Sequence, residues 1–280
     1  MNMTEAPGME PNLYPAVAAA QLSAGYPGVL ALDGVDFTLQ RRSICALVGA
    51  NGSGKSTLFA TLLGLRQPLA GQVRLFGESP HHARRRNLVS YVPQHEQIDT
   101  TFPITVEQVV MMGRYGHMGF TRRPKPADRA AVNKALEQVG LGDLRRRAIG
   151  ELSGGQRKRA FLARAIAQQV PLMLLDEPFA GVDRSSEKLI VSVLHQLRDA
   201  GATLLVSTHH LEGVGELADE VILLHRRVLA AGLPEDVLTE EQLGRAFGAV
   251  LSEPLAQTPE DPLAQTPEDP LAERGEERGL

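Results

Sequence analysis

The stretch Gly49-Ala50-Asn51-Gly52-Ser53-Gly54-Lys55-Ser56-Thr57 follows an unbroken apolar run, Ile44-Cys45-Ala46-Leu47-Val48, and leads into Leu58-Phe59-Ala60-Thr61-Leu62-Leu63. A buried strand is therefore expected to turn into a helix here, the setting a phosphate loop requires. Gly49, Gly52 and Gly54 let the backbone fold tightly, so that the N–H groups of the loop, through Ala50, Asn51 and Ser53 to Thr57, point inward beside the positive end of the following helix. Lys55 is expected to reach the β- and γ-phosphates of a bound nucleotide, and the Ser56 hydroxyl to hold Mg²⁺. Many nucleotide-using machines share such a loop, so the rest of the chain must say which one this is.

Two further carriers of chemistry lie downstream. Leu152-Ser153-Gly154-Gly155-Gln156 leads into a helix expected over residues 157–168 and ended by Pro171. A serine and paired glycines at a helix start offer free backbone N–H groups to an anion, again a phosphate. One chain with a single lysine loop thus offers two half-sites for nucleotide. Leu172-Met173-Leu174-Leu175-Asp176-Glu177 is an apolar strand delivering two carboxylates at its end. Asp176 is placed to hold Mg²⁺ and Glu177 to take a proton from an attacking water. Gln94 ends another strand, where its side-chain oxygen can approach Mg²⁺ or that water. A buried strand over 203–207 ends in Thr208-His209-His210, and one of these imidazoles can donate to the γ-phosphate.

The remaining elements fall around these. Residues 16–22 read as a short strand, with Tyr26 in a turn-rich loop where its ring can stack on a nucleotide base. Residues 29–34 read as a hairpin link, and alternation over 35–39 and 72–76 suggests strands of a small antiparallel sheet beside the main one. The helix after the phosphate loop is expected to run to about Leu65, Arg84-Arg85-Arg86 to be a solvated helix face or loop, and residues 221–224 to form the last strand. Periodic stretches over 106–112 and 127–139 place a helical lobe at about 95–151, and Gly181-Val182-Asp183 turns the chain into a helix over 185–199. The fold class is α/β.

Composition limits the alternatives. Hydrophobic residues make up 43% and charged residues 22% of 280, ordinary values for a globular chain able to bury a sizeable core. No apolar run approaches the ~20 residues needed to span a bilayer. Cys45 is the only cysteine, so no internal disulfide is possible and a reducing cytoplasm is expected. The net charge is −4, but residues 251–280 hold eight acidic and two basic residues, which leaves the rest at +2. With no basic surplus, no tryptophan and only 4% aromatics, no nucleic-acid partner is expected. Residues 1–15, with three prolines, read as a mobile lead-in to a domain over 16–247. From 248 to 280 the composition shifts to proline and acid, and an octapeptide, Pro-Leu-Ala-Gln-Thr-Pro-Glu-Asp, repeats from Pro254 and from Pro262. Such units bury no core, so a disordered tail is expected.

Taken in order, Tyr26, the loop Gly49 to Thr57, Gln94, Leu152 to Gln156, Leu172 to Glu177, Asp183 and His209 resemble the ATP-binding cassette (ABC) family, over about residues 16–247. The resemblance implies an ABC ATPase with a nucleotide-binding core sheet, a small antiparallel β subdomain and a helical lobe. It also implies a head-to-tail dimer in which Ser153, Gly154, Gly155 and Gln156 of one copy close over ATP and Mg²⁺ held by the other, with Asp183 also at the nucleotide and His209 holding the γ-phosphate. Phe102-Pro103-Ile104-Thr105-Val106, Met112-Gly113-Arg114-Tyr115-Gly116 and Phe179-Ala180-Gly181-Val182-Asp183 are similar to cassettes that serve manganese, zinc or iron uptake. Cassettes for siderophore, haem and cobalamin import are related. The implied partners are a transmembrane permease, on which the chain would sit peripherally at the inner, cytoplasmic face of the cell membrane, and, through that permease, an extracytoplasmic metal-binding protein. A soluble cassette acting on nucleic acid or ribosomes is the alternative from another class. Such proteins usually carry two cassettes or a long coiled-coil insertion, and this chain has one phosphate loop and no long heptad run.

Overall fold

The computed structural model describes residues 14–94 and 103–248. The expected lead-in up to residue 13 and the acidic repeats lie outside them. The main sheet has six strands in the order β5 (Val89–Val92), β6 (Leu172–Asp176), β7 (Thr203–Thr208), β3 (Ile44–Val48), β8 (Glu220–His225) and β9 (Arg227–Gly232). The first five run parallel, and β9 closes the edge antiparallel. Parallel strands are covered on both faces, which is why β3, β6 and β7 read as continuous apolar runs and are buried throughout. Their side chains alternate between two cores. Ile44, Ala46, Val48, Met173, Leu175, Leu204 and Val206 enter one, and Cys45, Leu47, Leu172, Leu174 and Leu205 the other.

Register does the positioning. Val48 pairs with Thr208 and Asp176 with Ser207, so β3, β6 and β7 end together. The segments that follow them, the phosphate loop, Glu177 and His209, therefore emerge side by side beyond one edge of the sheet, the place where ligands bind in open α/β sheets.

A second, three-stranded antiparallel sheet has the order β2 (Val29–Leu39), β1 (Val17–Tyr26), β4 (Ala70–Leu75). Helix α1 (Lys55–Leu62) packs Leu58, Phe59 and Leu62 into the core it shares with this sheet. The short helix α2 (Pro80–Arg85) is capped by Ser79, whose hydroxyl accepts from the His82 N–H. Here the arginine run makes local bonds: Arg84 Nη1 donates to the Leu63 carbonyl at 3.1 Å, and Arg86 pairs with Glu78.

Helix α3 (Val106–Met112) begins at a Thr105/Gln108 capping box, and with α4 (Pro126–Gln138) it packs against α5 (Gly154–Ala167). A Cβ on Gly113 would come within 2.1 Å of the Arg164 carbonyl, so α3 can end this close to α5 only on a glycine. Arg114 fills the seam: Nε donates to Asp128 Oδ1 at 3.0 Å, and Nη1 to the Ala167 carbonyl at 2.7 Å and Gln169 Oε1 at 3.0 Å. Helix α6 (Arg184–Asp199) and the C-terminal α7 (Val214–Leu217), α8 (Pro234–Val237) and α9 (Glu240–Gly248) complete the described fold.

Several boundaries differ from the sequence reading. β1 runs on to Tyr26, because bulges near Gln21 (φ 47°) break its alternation without ending it. Tyr26 is thus the last residue of a strand, not part of a loop, and residues 29–34 already belong to β2; the turn is Pro27-Gly28, with Gly28 at φ 79°. Helix α1 stops at Leu62 rather than Leu65, α5 starts at Gly154 rather than Arg157, and β9 follows the strand taken as the last.

Candidate functional site

Two glycines of the phosphate loop leave no room for a side chain. Gly54 caps α1 at φ 103°, and a Cβ there would meet Leu32 Cδ2 at 2.6 Å and the Ala31 carbonyl at 2.7 Å. One on Gly49 would meet the Leu224 carbonyl at 2.4 Å. Over Gly52 (φ 80°) the space is open. Lys55 is only 6% exposed; its Nζ donates to the Gly49 carbonyl at 2.7 Å and the Ala50 carbonyl at 3.1 Å. An ammonium has three N–H groups, so one remains for an arriving oxygen. Burial pushes the Lys55 pKa down, and the carboxylates of Glu177 and Asp176 oppose that shift. Ser53 Oγ is buried in the loop with no partner among the described residues, while Asn51 and Ser56 face outward.

At the end of β6 the two carboxylates are held differently. Asp176 Oδ1 accepts from the Ser207 hydroxyl, and Oδ2 from the Tyr91 hydroxyl at 3.2 Å. Glu177 is 7% exposed and adopts φ 46°, a left-handed backbone that a non-glycine residue keeps only where its surroundings hold it. Its N–H donates to Ser207 Oγ at 3.0 Å and to the Ser207 carbonyl at 3.2 Å. Gln94 Nε2 donates to Glu177 Oε2 at 2.8 Å, and His209 Nδ1 lies 2.9 Å from Oε1. The His210 ring rests against that of His209, with centroids 4.0 Å apart. Gln94, Asp176, Glu177, His209 and Lys55 are thus brought into one neighbourhood.

The other expected residues make contacts of their own. Ser153 is the N-cap of α5, its hydroxyl accepting from the Gln156 N–H at 3.2 Å while Gln156 Oε1 accepts from the Ser153 N–H at 3.0 Å. Ser153 and Gly154 are exposed, and a Cβ on the buried Gly155 would lie 3.0 Å from Ser186 Oγ and 3.1 Å from Asp183 Oδ2. The first turn of α5 therefore leans on the cap of α6. That cap is Asp183, which accepts from the Ser185 hydroxyl at 2.5 Å, the Ser186 hydroxyl at 2.9 Å and both backbone N–H groups. These bonds, the Ser185 hydroxyl foremost, hold its carboxyl well below the usual carboxylate range. Among the described residues no hydrogen bond links residues 153–156 to 49–57. Tyr26, half exposed, carries the Arg66 guanidinium 3.7 Å from its ring centroid.

Three residues of the site were not singled out in the sequence. Ser207 and Tyr91 hold Asp176 from neighbouring strands, and Lys158 of α5 donates to the Glu177 carbonyl at 3.3 Å. Their only sequence signal was polarity at the end of an apolar strand or one turn past a helix start.

Residues 32–180 match the family model described as ABC transporter. The chain belongs to the ABC transporter family. Among curated relatives it is 54% identical to the chelated iron transport system membrane protein YfeB of Yersinia pestis, over 80% of this chain and 76% of that one. The manganese transport system ATP-binding protein MntA of Synechocystis is 50% identical, over 79% and 85% of the two chains. The zinc transport system ATP-binding protein TroB of Treponema pallidum is 44% identical, over 86% and 90%. Of solved structures, an inward-facing transporter described as metal-chelate type superposes with TM-score 0.74 at 31% identity, over 83% of this chain and 89% of that one. The ADP-bound cassette MJ1267 shares the fold at TM-score 0.74 and 23% identity, over 86% and 100%. The chain is thus an ABC ATP-binding cassette, an ATPase of a family whose cassettes work as dimers with a membrane permease. Among the described residues no helix is long and apolar enough to cross a membrane.

Proposed function

We propose that this cassette drives a metal-ion importer: two copies close head to tail over two ATP molecules on the cytoplasmic face of a permease, and hydrolysis resets the permease for uptake of manganese, zinc or iron. The narrower assignment is supported by the likeness to the iron, manganese and zinc transport relatives. The observation that carries the chemistry is Glu177, held at one carboxylate oxygen by Gln94 and at the other by His209.

The donor set fits Mg²⁺. The Ser56 hydroxyl, the Asp176 carboxylate and the Gln94 amide are hard oxygen donors, with no thiolate or ring nitrogen among them. When bound, Mg²⁺ neutralises charge on the β- and γ-phosphates. The protein does the rest. The backbone N–H groups from Gly49 through Thr57 and the free N–H of Lys55 hold the phosphates, and Tyr26 stacks on the adenine. Ser153 to Gln156 of the second copy bring an exposed helix start to the γ-phosphate, with Asp183 at the seam between copies. Glu177 accepts a proton from the attacking water on a lone pair that Gln94 and His209 leave open, since each carboxylate oxygen has two, while those partners fix its direction. His209 and Gln94 are also placed to donate to a γ-phosphate oxygen or to the water.

The test is to co-purify the full chain with its permease in vesicles and add an extracytoplasmic binding protein loaded with manganese, zinc or iron. Stimulation of ATP turnover by one loaded form supports the reading. Turnover indifferent to every loaded form, or stimulated only by a siderophore, haem or cobalamin carrier, contradicts it.

A further inference from the structure

Glu177 keeps its left-handed backbone (φ 46°) between two grips. Its N–H is tied to Ser207 on β7, and its carbonyl accepts from Lys158 Nζ at 3.3 Å. The same ammonium also donates to the Ala180 carbonyl, three residues further on. Lys158 stands five positions past Ser153 on α5, and it lines, with Gln94, Phe161 and Glu177, a cavity of about 210 Å³ between α5 and the end of β6. The side of α5 that reaches the carboxylate-bearing turn is therefore one helical turn from the exposed end that meets the other copy.

We propose that Lys158 is a positioning residue that couples the two ATP sites. This rests on the head-to-tail reading above. In such a dimer the first turn of α5 belongs to the nucleotide held by the partner, whereas Glu177 belongs to the nucleotide held by its own chain. Lys158 joins the two through a rigid helix and two carbonyls. Seating α5 against the partner's γ-phosphate sets the Glu177 backbone, and hence the direction of its carboxylate, at the chain's own site. A residue serving only to stabilise the turn would move thermal stability and leave communication between the sites untouched.

The experiment uses the full-length chain and the variants Lys158→Met and Lys158→Arg, with Glu177→Gln as control. ATP turnover is followed against ATP concentration, alongside equilibrium nucleotide binding and thermal melting. Lys158→Met is expected to lower kcat about 10- to 100-fold, the scale of a misaligned reacting group. Its Hill coefficient should fall from near the two-site limit to about one, with Kd for ATP unchanged. Lys158→Arg, which still reaches both carbonyls, should recover both. If Lys158→Met does not melt cooperatively, Lys158→Gln carries the same test. Retained cooperativity in the folded methionine or glutamine variant overturns the proposal, whatever happens to kcat. A wild-type Hill coefficient of about one, or full turnover by Glu177→Gln, would remove the dimer or base reading beneath it; an inactive Glu177→Gln beside a cooperative Lys158→Met removes the coupling alone.

Discussion

His209 Nδ1 lies 2.9 Å from Glu177 Oε1, a contact between residues 32 positions apart that exists because β6 and β7 are parallel neighbours ending at the same level. Gln94, two residues past the end of β5 on the other side of β6, occupies the other oxygen. A carboxylate held once at each oxygen is oriented and still has lone pairs free to accept a proton.

Glu177→Gln keeps the shape and the backbone bonds of the site but cannot take a proton. Turnover should fall about 10²- to 10⁴-fold while ATP affinity is retained. Size-exclusion chromatography with ATP should show a stable dimer, and turnover at the wild-type rate would refute the assignment.

His209→Ala leaves Glu177 Oε1 without its imidazole and removes one donor from the γ-phosphate. The expected loss in kcat is on the order of 10²-fold, the usual effect of deleting one oriented donor. ATP affinity should change little, so single-turnover kinetics and equilibrium binding together separate this from a folding defect.

Lys55→Ala acts on binding itself. A charge-assisted hydrogen bond is worth about 1.5–3 kcal/mol, so affinity should weaken roughly 10- to 100-fold. Calorimetric titration checks this, and an unaltered Kd would exclude phosphate contact by Lys55. Because burial lowers the Lys55 pKa, the affinity should fall on the alkaline side sooner than an exposed lysine would allow.

The local setting of the candidate site was legible because its parts are short contiguous peptides. A glycine loop between strand and helix, a serine-glycine helix start and an acidic strand end each mark their backbone structure in a few residues. Ser207, Tyr91 and Lys158 were not legible, because their partners are fixed by strand register and by how α5 packs, neither of which a single segment encodes. Tyr26 was misplaced into a loop for a related reason: the bulges near Gln21 interrupt the alternation of β1, although pairing with β2 carries the strand on to Tyr26. β9 is a short edge strand with little apolar contrast, held by pairing with β8 rather than by its own pattern.

The seam between α3, α4 and α5 gives a stability prediction. Arg114 and Asp128 are both buried, so Asp128→Asn leaves an uncompensated guanidinium and should cost about 3–5 kcal/mol near neutral pH. The Lys125 N–H, with Arg114, holds the Asp128 carboxyl below its ordinary value. A carboxyl depressed in the folded state takes up protons more readily when unfolded. Its contribution is therefore complete above the ordinary carboxylate range and is lost as pH falls from that range through the depressed folded-state value. Urea denaturation of both forms should show a gap that is constant from pH 7 to about 5 and shrinks below about pH 4. A gap independent of pH would contradict this.

In the proposed dimer, one copy's phosphate loop and another copy's serine-glycine helix start enclose the same ATP. Cys45 is buried and is the only native cysteine, so thiols placed at Asn51 and Ser153 can be followed cleanly. The decisive measurement is short-span thiol crosslinking of the Asn51→Cys, Ser153→Cys chain in the Glu177→Gln background, with and without ATP. The expected product is a covalent dimer joined from position 51 to position 153, formed only with ATP. Monomers that stay uncrosslinked at saturating ATP, or a crosslink within one chain, would contradict it.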